Sequence, residues 1–270
     1  MSGPALPPDW LAQLHARADQ PPRAPRVPLW AANSRIGSVE PDFLNKIGLQ
    51  PVSDGRLLLQ KTEHDGVLGW RVNGELTQSL AGIALALRDA GLAGAWRCEQ
   101  LPVTDEHGTR LGTVERAAVR PLGITTFAVH LAARSPDGRH WVQQRSLTKP
   151  DDPGLWDTLM GGMVPAGDTL EQALARETWE EAGLLVAQLH ALRYGGRVAT
   201  RRPARDGRGA GYVVEHIAWF QCTLPEGTVP QNQDGEVAQF ALVEPADLMA
   251  RLARCEFTLE AALVLAATGL

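Results

Sequence analysis

Two kinds of hydrophobic pattern alternate along the second half of the chain. Segments in which apolar and polar residues alternate predict strands. The segment 169–182 has the apolar spacing of an amphipathic helix and is predicted to be one. Strands alternating with helices indicate a mixed sheet covered by helices. The predicted strands are Thr125–Ala133, His140–Gln144, Ala187–Leu192, Tyr212–Leu224 and Glu236–Val243, and loops are predicted at Lys149–Leu155 and Arg201–Gly211.

The first half of the chain carries more mixed signals. Prolines concentrate in 1–24, which predicts an extended tail with one short helix at Asp9–Ala18. Over 25–122, a helix at Leu76–Ala90 and several short strands predict a small α+β domain, and a second domain is expected at 123–270. The predicted strands of the first domain are Gly55–Gln60, Gly69–Val72, Trp96–Val103 and Thr113–Val119.

Composition narrows the class of protein. Of 270 residues, 44% are hydrophobic and 21% charged, which is typical of a globular chain with its own core. The net charge of −5 argues against nucleic acid as the main partner. The three cysteines are scattered, which favours a reducing compartment. No apolar stretch approaches the ~20 residues of a membrane helix, and the N-terminus lacks a signal-peptide pattern, so we expect a cytoplasmic protein with no membrane partner.

The helix predicted at 169–182 carries carboxylates where apolar side chains belong. At about 100° per residue, five side chains share one face, and these are Leu170, Ala173, Leu174, Glu177 and Glu181. Glu180 lies beside this face, so three glutamates converge at one end of the helix. They would repel one another, and a divalent cation with oxygen ligands, Mg²⁺ or Mn²⁺, would remove that repulsion. The alternative is a charged, solvated helix whose Arg176 pairs with a glutamate, but the apolar face argues against it.

These residues belong to a longer motif that resembles the Nudix box. The matching positions are Gly162, Arg176, Glu177, Glu180, Glu181 and Gly183. Two positions depart from the family pattern, because Asp168 stands where glutamate is usual and Thr178 where an aliphatic residue is usual. Asp168 is suited to cap the helix, with Glu171 three residues later as in a capping box.

The resemblance implies a fold and a chemistry. It implies an α/β/α sandwich with a mixed sheet, and hydrolysis in which water attacks a Mg²⁺-bound diphosphate. By the same resemblance, Glu177, Glu180 and Glu181 are metal ligands and one of them can also act as the base. Arg176 would orient a glutamate through a charged hydrogen bond, and Gly161 with Gly162 would let the backbone turn before the helix.

A second acidic point precedes the last predicted strand. Nudix enzymes often recruit one further carboxylate from a late loop, and Glu236 is the candidate for such a base or extra ligand. An Asp-Gly turn at Asp234–Gly235 followed by an exposed glutamate accounts for the same residues equally well.

Weaker motifs outside the box resemble one two-part Nudix group, related to thiamine pyrophosphokinase-like proteins and carrying an N-terminal domain of unknown function. These motifs are Glu115–Ala118, Pro121–Ile124, Val129–Leu131, Arg145–Pro150 and Val229–Val237. The resemblance implies hydrolysis of thiamine diphosphate, or of its oxidised or toxic analogues, to monophosphates. Relatives acting on oxidised guanine nucleotides supply the alternative substrate class. The N-terminal domain would then select the substrate or build a homodimer.

Four residues near the box are candidates for substrate binding. Arg145 and Lys149 could hold a terminal phosphate, and Trp156 and Asp157 could contact a ring and its amino group. Surface ion pairs and core packing are the alternative for all four. Two other classes of protein remain as rivals. A Nudix-fold isomerase would need a cysteine near the box, and no cysteine lies there in the sequence. A non-catalytic binding module would usually lack box glutamates, and all three are present.

Overall fold

Residues 6–48, 58–204 and 210–269 are described by the computed structural model. Their helices are α1 (Trp10–Ala18), α2 (Leu76–Asp89), α3 (Arg116–Leu122), α4 (Leu170–Ala182), α5 (Pro245–Ala253) and α6 (Leu259–Ala267). Their strands are β1 (Val27–Ala31), β2 (Ser34–Val39), β3 (Leu59–His64), β4 (Val67–Val72), β5 (Gln100–Thr104), β6 (Arg110–Glu115), β7 (Thr125–Arg134), β8 (His140–Arg145), β9 (Trp156–Asp157), β10 (Met160–Met163), β11 (His190–Pro203), β12 (Tyr212–Thr223) and β13 (Val237–Val243).

The strands form mixed sheets, as predicted. The largest sheet has seven strands in the order β11-β12-β7-β8-β13, with β10 beside β7 and β9 beside β8. Strand β12 runs parallel to β7, and the other pairs in this sheet are antiparallel. A four-stranded sheet, β2-β1-β4-β3, contains one parallel pair, β1 with β4, and β5 with β6 forms a hairpin. The α+β class is therefore confirmed.

Helices cover both faces of the seven-stranded sheet. Because side chains alternate along a strand, β7 turns Val129 and Leu131 towards α4 and turns Ala128 and Ala132 towards α6. Val129 and Leu131 share a core with Ala173 and Leu174 of α4. Ala128 and Ala132 pack with Val264 of α6. This layering places α4, with its glutamates, on one side of β7 and α6 on the other.

The first half of the chain builds a separate apolar cluster. Leu80, Ile83 and Leu87 of α2 are fully buried there, together with residues of β1 and β5. Helix α1, within the predicted tail, packs through Trp10 and Leu14 against the apolar cluster of α5 and α6. The boundaries 1–24, 25–122 and 123–270 stay a prediction. No helix in the described ranges is long and apolar enough to cross a membrane.

Several predicted elements are shifted or of another type. The strand predicted at Thr113–Val119 ends at Glu115, because Glu115 caps helix α3 by accepting a hydrogen bond from the Ala117 N–H, and the alanines that follow favour helix. The strand predicted at Trp96–Val103 begins only at Gln100, after Cys98 at a φ of 56°.

Two predicted boundaries in other strands also differ from the structure. Strand β11 continues to Pro203, well beyond Leu192, because it pairs with β12 along most of its length. Part of the loop predicted at Arg201–Gly211 is therefore strand, and 205–209 lie outside the described residues. The strand predicted at Gly55–Gln60 lies partly outside them as well, and β3 starts at Leu59.

Candidate functional site

Helix α4 begins one residue later than the sequence suggested. Thr169 is the capping residue, since its hydroxyl accepts the Gln172 N–H and the Gln172 side chain accepts the Thr169 N–H. The capping role predicted for Asp168 is therefore wrong. Its carboxylate instead accepts a hydrogen bond from Arg176 Nε at 3.0 Å, because the residue before the cap lies beside the second turn of the helix.

Arg176 links the acidic residues at this end of the site. Its Nη1 donates to Glu177 Oε1 and to Glu180 Oε2, each at 2.9 Å. Together with the bond to Asp168, one guanidinium meets three carboxylates. Arg176 thus holds Glu177 and Glu180 in place, which is the orienting contact that the motif predicts.

Glu181 is anchored in the interior. It is 1% exposed, and its Oε2 accepts the Gly161 N–H at 3.0 Å and the Gln143 side-chain amide at 2.8 Å. Lys149 Nζ lies 3.3 Å from its Oε1. Burial raises the pKa of Glu181, although Lys149 and the two hydrogen bonds oppose the increase. The backbone of β10 therefore fixes one carboxylate of the box directly.

Lys149 also brings Glu236 to the site. Its ammonium pairs with the Glu236 carboxylate, so Lys149 bridges Glu236 and Glu181. Burial tends to raise the pKa of Glu236, but the hydrogen bond and charge of Lys149 outweigh it and lower that pKa. The structure therefore places the late-loop carboxylate beside the box, and its chemical role stays a prediction.

Glu177 lies against a glycine backbone. A Cβ built on Gly162 would stand 2.0 Å from Glu177 Cδ, a distance that no real contact allows. Burial and the neighbouring Glu181 raise the pKa of Glu177 to about 7, in spite of Arg176. Only glycine at position 162 lets this carboxylate approach the β10 backbone.

The raised pKa of Glu177 predicts a pH dependence of stability without metal. The folded protein holds a proton on Glu177 up to about pH 7, whereas the unfolded chain releases it near 4.5. Stability therefore falls as the pH rises from 4.5 to 7, and the penalty, on the order of 3 kcal/mol, is complete above 7. Glu177→Gln should remove this loss. Denaturant unfolding in EDTA from pH 5 to 8 measures it, and equal slopes for both proteins would contradict the assigned burial.

The residues present fit a divalent metal ion. Within 6–48, 58–204 and 210–269, no three carboxylate, histidine or cysteine side chains are already arranged to hold a metal ion, and Arg176 and Lys149 pair with the glutamates. The donors at hand are nonetheless all oxygens, as Mg²⁺ prefers. Buried Gln143 Oε1, beside Glu181, has no hydrogen-bond partner among the described residues. Repulsion between Glu177 and Glu181 also favours an added positive charge.

Two of the four predicted substrate-binding residues, Arg145 and Asp157, contact each other. Asp157 is buried, and its Oδ2 lies 3.6 Å from Arg145 Nη1 and accepts a hydrogen bond from Thr258 at 3.2 Å. Arg145 also donates to the Asp151 carbonyl at 3.0 and 3.2 Å. Arg120 of α3 forms a two-pronged ion pair with the Asp151 carboxylate. Through this chain of contacts, the first half of the molecule reaches the loop that carries Lys149.

Trp156 packs in an apolar cluster, whereas Lys149 contacts carboxylates of the site. The Arg251 guanidinium covers the Trp156 ring at 4.7 Å, and that ring packs with the apolar cluster of the C-terminal helices. Trp156 therefore has the core packing that was the alternative to a role in substrate binding. Lys149, by contrast, contacts two carboxylates of the site. Sequence reasoning missed Gln143, because no local pattern distinguishes it from Gln144 and only the fold shows its contact with Glu181.

Comparison with known proteins agrees with this geometry. The family model of the NUDIX domain matches residues 125–261, half of the chain. The chain belongs to the Nudix family. The match spans all the box glutamates and the strands that position them, and their role as a metal site stays a prediction.

The relatives of this chain carry names that describe different activities. It is 30% identical over 212 residues to Nudix hydrolase 20, chloroplastic, of Arabidopsis thaliana, covering 74% of this chain and 51% of that protein. It therefore spans about half the length of this curated relative. It is also 30% identical over 162 residues to an isopentenyl-diphosphate Delta-isomerase of Streptomyces griseus, covering 58% of this chain and 77% of that protein.

A solved structure supports the fold. DR0079 from Deinococcus radiodurans matches with a TM-score of 0.50 and 22% identity, covering 63% of this chain and 98% of that one. The likeness shows that this chain shares its fold with that protein over the part covered.

Proposed function

We propose that the protein is a Mg²⁺-dependent hydrolase that cleaves a diphosphate linkage in a small molecule. The observation that carries the proposal is the pair Glu177 and Glu181, both held against the β10 backbone beside Arg176 and Lys149. Membership of a family that acts on diphosphate bonds supports it.

Each charged residue then has a task. Glu177, Glu180 and Glu181 would hold Mg²⁺, or Mn²⁺ in its place, which supplies charge stabilisation on the phosphate oxygens. Lys149 would bind a phosphate oxygen as a point charge, and Arg176 keeps Glu177 and Glu180 oriented. Arg145, at the end of β8, would add a second cation beside the loop that carries Lys149.

The chemical step needs a base that is ready near neutral pH. Water oxygen bonds to phosphorus, the P–O bond of the anhydride breaks, and a carboxylate takes the water proton. Glu177, held by Arg176 beside the β10 backbone, is the candidate for this role. Glu236, whose pKa is lowered, is the weaker base and the alternative.

Thiamine diphosphate, or an oxidised or toxic analogue, is the substrate we favour, with the monophosphate as product. The resemblance of the motifs outside the box supports this choice, and the contact of Arg120 with Asp151 supports a role of the first half in substrate selection. The alternative substrate is an oxidised guanine nucleotide. We further propose cytoplasmic action, no nucleic-acid or membrane partner, and a homodimer.

The rival functions have less support. An isomerase needs a reactive cysteine, but burial raises the pKa of Cys222 to about 12, and Cys98 and Cys255 lie outside the box. A non-catalytic module does not explain why Glu181 remains buried with three polar partners.

Hydrolysis of a substrate panel tests the proposal, measured as inorganic phosphate for the terminal diphosphates and, for ADP-ribose and NADH, as phosphate freed from the products by an added phosphatase. The panel holds thiamine diphosphate, its oxidised analogues, 8-oxo-dGDP, ADP-ribose, NADH and isopentenyl diphosphate, each with Mg²⁺ and with EDTA. We expect Mg²⁺-dependent turnover that is fastest with the thiamine compounds. Preference for a nucleotide would overturn the thiamine assignment alone, and no turnover of any compound would overturn the hydrolase.

A further inference from the structure

A second group of polar residues lies on the α6 face of the sheet. Thr200 of β11, Glu215 of β12 and Thr126 of β7 are direct neighbours across three strands, so their side chains share one face. Thr126 Oγ1 donates to Glu215 Oε1 at 3.1 Å. Glu260, in the first turn of α6, completes the group and forms a 3.0 Å ion pair with Arg202 of β11.

Two hydrogen-bonding atoms of this group have no partner within 6–48, 58–204 and 210–269. Thr200 is 1% exposed, and its hydroxyl, in the same row as Glu215, is buried and unbonded. Arg202 Nε is also buried and unbonded. Buried polar atoms are nearly always satisfied, since leaving one unpaired costs about 1–3 kcal/mol. An unpaired hydroxyl beside two carboxylates indicates a ligand that supplies the missing bonds.

The two carboxylates differ in protonation. Burial and the charge of Glu260 raise the pKa of Glu215 to about 7. Burial also acts on Glu260, but Arg202 outweighs it and lowers the pKa of Glu260. Arg120 acts on Glu215 as well, and His130 acts on Glu260. Of the two, Glu215 is therefore the better proton donor and Glu260 the better acceptor.

We propose that Glu215, Glu260 and Thr200 form a subsite for an amino-substituted heteroaromatic ring that carries the diphosphate. An amino group on such a ring donates to a carboxylate, and the adjacent ring nitrogen accepts from a carboxyl O–H, so the two edges are complementary. The inference rests on the proposed function, because it names the part of the same substrate that lies away from the phosphates.

The position along the sheet suits this role. Thr126 is paired with Glu215 of β12, and His130 is paired with Gly161 of β10. Both side chains lie on the same face of β7. Four residues of strand separate them, which at ~3.3 Å per residue is about 13 Å. Gly161 is the residue whose N–H binds Glu181. The α4 glutamates lie on the other side of β7, and β10 pairs only with β7 among the described strands, so a diphosphate joined by a short linker to a ring would pass the free edge of β10 to reach both sites.

Ring binding to the full chain in EDTA tests the subsite without turnover. Calorimetry compares thiamine with oxythiamine, in which a carbonyl replaces the amino group, and guanosine with inosine, which lacks it. We expect the wild type to prefer the amino member of at least one pair by roughly tenfold, the value of one hydrogen bond to a charged group. Glu260→Gln should remove most of that preference, because the charged acceptor of the amino group is gone, and Glu226→Gln, at an exposed glutamate, should keep it.

Thr200→Val separates ligand binding from folding. Its hydroxyl has no partner to lose, so the melting temperature should stay the same or rise, while affinity for the preferred ring should fall several-fold. No preference in either pair, or a preference kept in full by Glu260→Gln, would overturn the subsite. Failure of the phosphate-release panel would instead overturn the hydrolase, whatever the binding result.

Discussion

Glu181→Gln is expected to lower kcat by roughly 10³-fold or more while the fold is kept. The carboxylate is the most deeply buried of the box glutamates, and loss of one metal-binding charge removes several kcal/mol of stabilisation from the transition state. The glutamine carbonyl can still accept from the Gly161 N–H and from Gln143. Lys149 keeps Glu236 as its partner.

Steady-state kinetics and thermal unfolding of the same preparation measure both parts of this expectation. Glu171→Gln is the matched control, because Glu171 is exposed on the same helix and makes the same change of charge. It should leave kcat within twofold of the wild type. A Glu181→Gln protein with near-normal turnover would remove Glu181 from the metal site, and one that fails to fold would show that the charge is structural.

Helix α4 is the element that the sequence predicts best. Its apolar spacing and its motif both indicate 169–182, and the helix occupies Leu170–Ala182. Local information suffices here because the signal lies within a few turns of one helix. The identity of the cap required more, since Asp168 and Thr169 are both good caps and the Arg176 contact decides between them.

Contacts between distant residues could not be predicted from one sequence. Gln143 lies 38 positions before Glu181, and Glu215 lies 45 positions before Glu260. In each pair one residue lies on a strand of the large sheet and the other on a helix packed against it. That helix is α4 for the first pair and α6, on the other side of β7, for the second. The carboxylates of Glu215 and Glu260 carry no motif, so composition and spacing give no reason to associate them.

Helix α3 shows how a short element escapes sequence analysis. Seven residues give too little periodicity, and the preceding strand β6 makes a continued strand the simpler expectation. The helix matters for the site because Arg120 holds Asp151, and the Asp151 carbonyl holds Arg145. The first half of the chain thereby influences the phosphate-binding loop without contributing a box residue.

Gly162→Ala is expected to lower kcat at least a hundredfold with little change in stability. The added Cβ would overlap Glu177 Cδ and both of its oxygens. These atoms are the free end of a flexible side chain, so the fold can accept the methyl group if Glu177 swings away. Displacement of a catalytic group by about 1 Å typically costs on the order of 10² in rate, and the shift required here is larger.

Gly167→Ala is the matched control, because nothing lies within 4 Å of a Cβ at that position. It should keep both kcat and the melting temperature. Magnesium titration followed by thermal unfolding adds a second measurement, in which Gly162→Ala should lose the stabilisation by Mg²⁺ that Gly167→Ala retains. If Gly162→Ala turned over substrate like the wild type, the place of Glu177 against β10 would be packing alone, and the base would have to be Glu236.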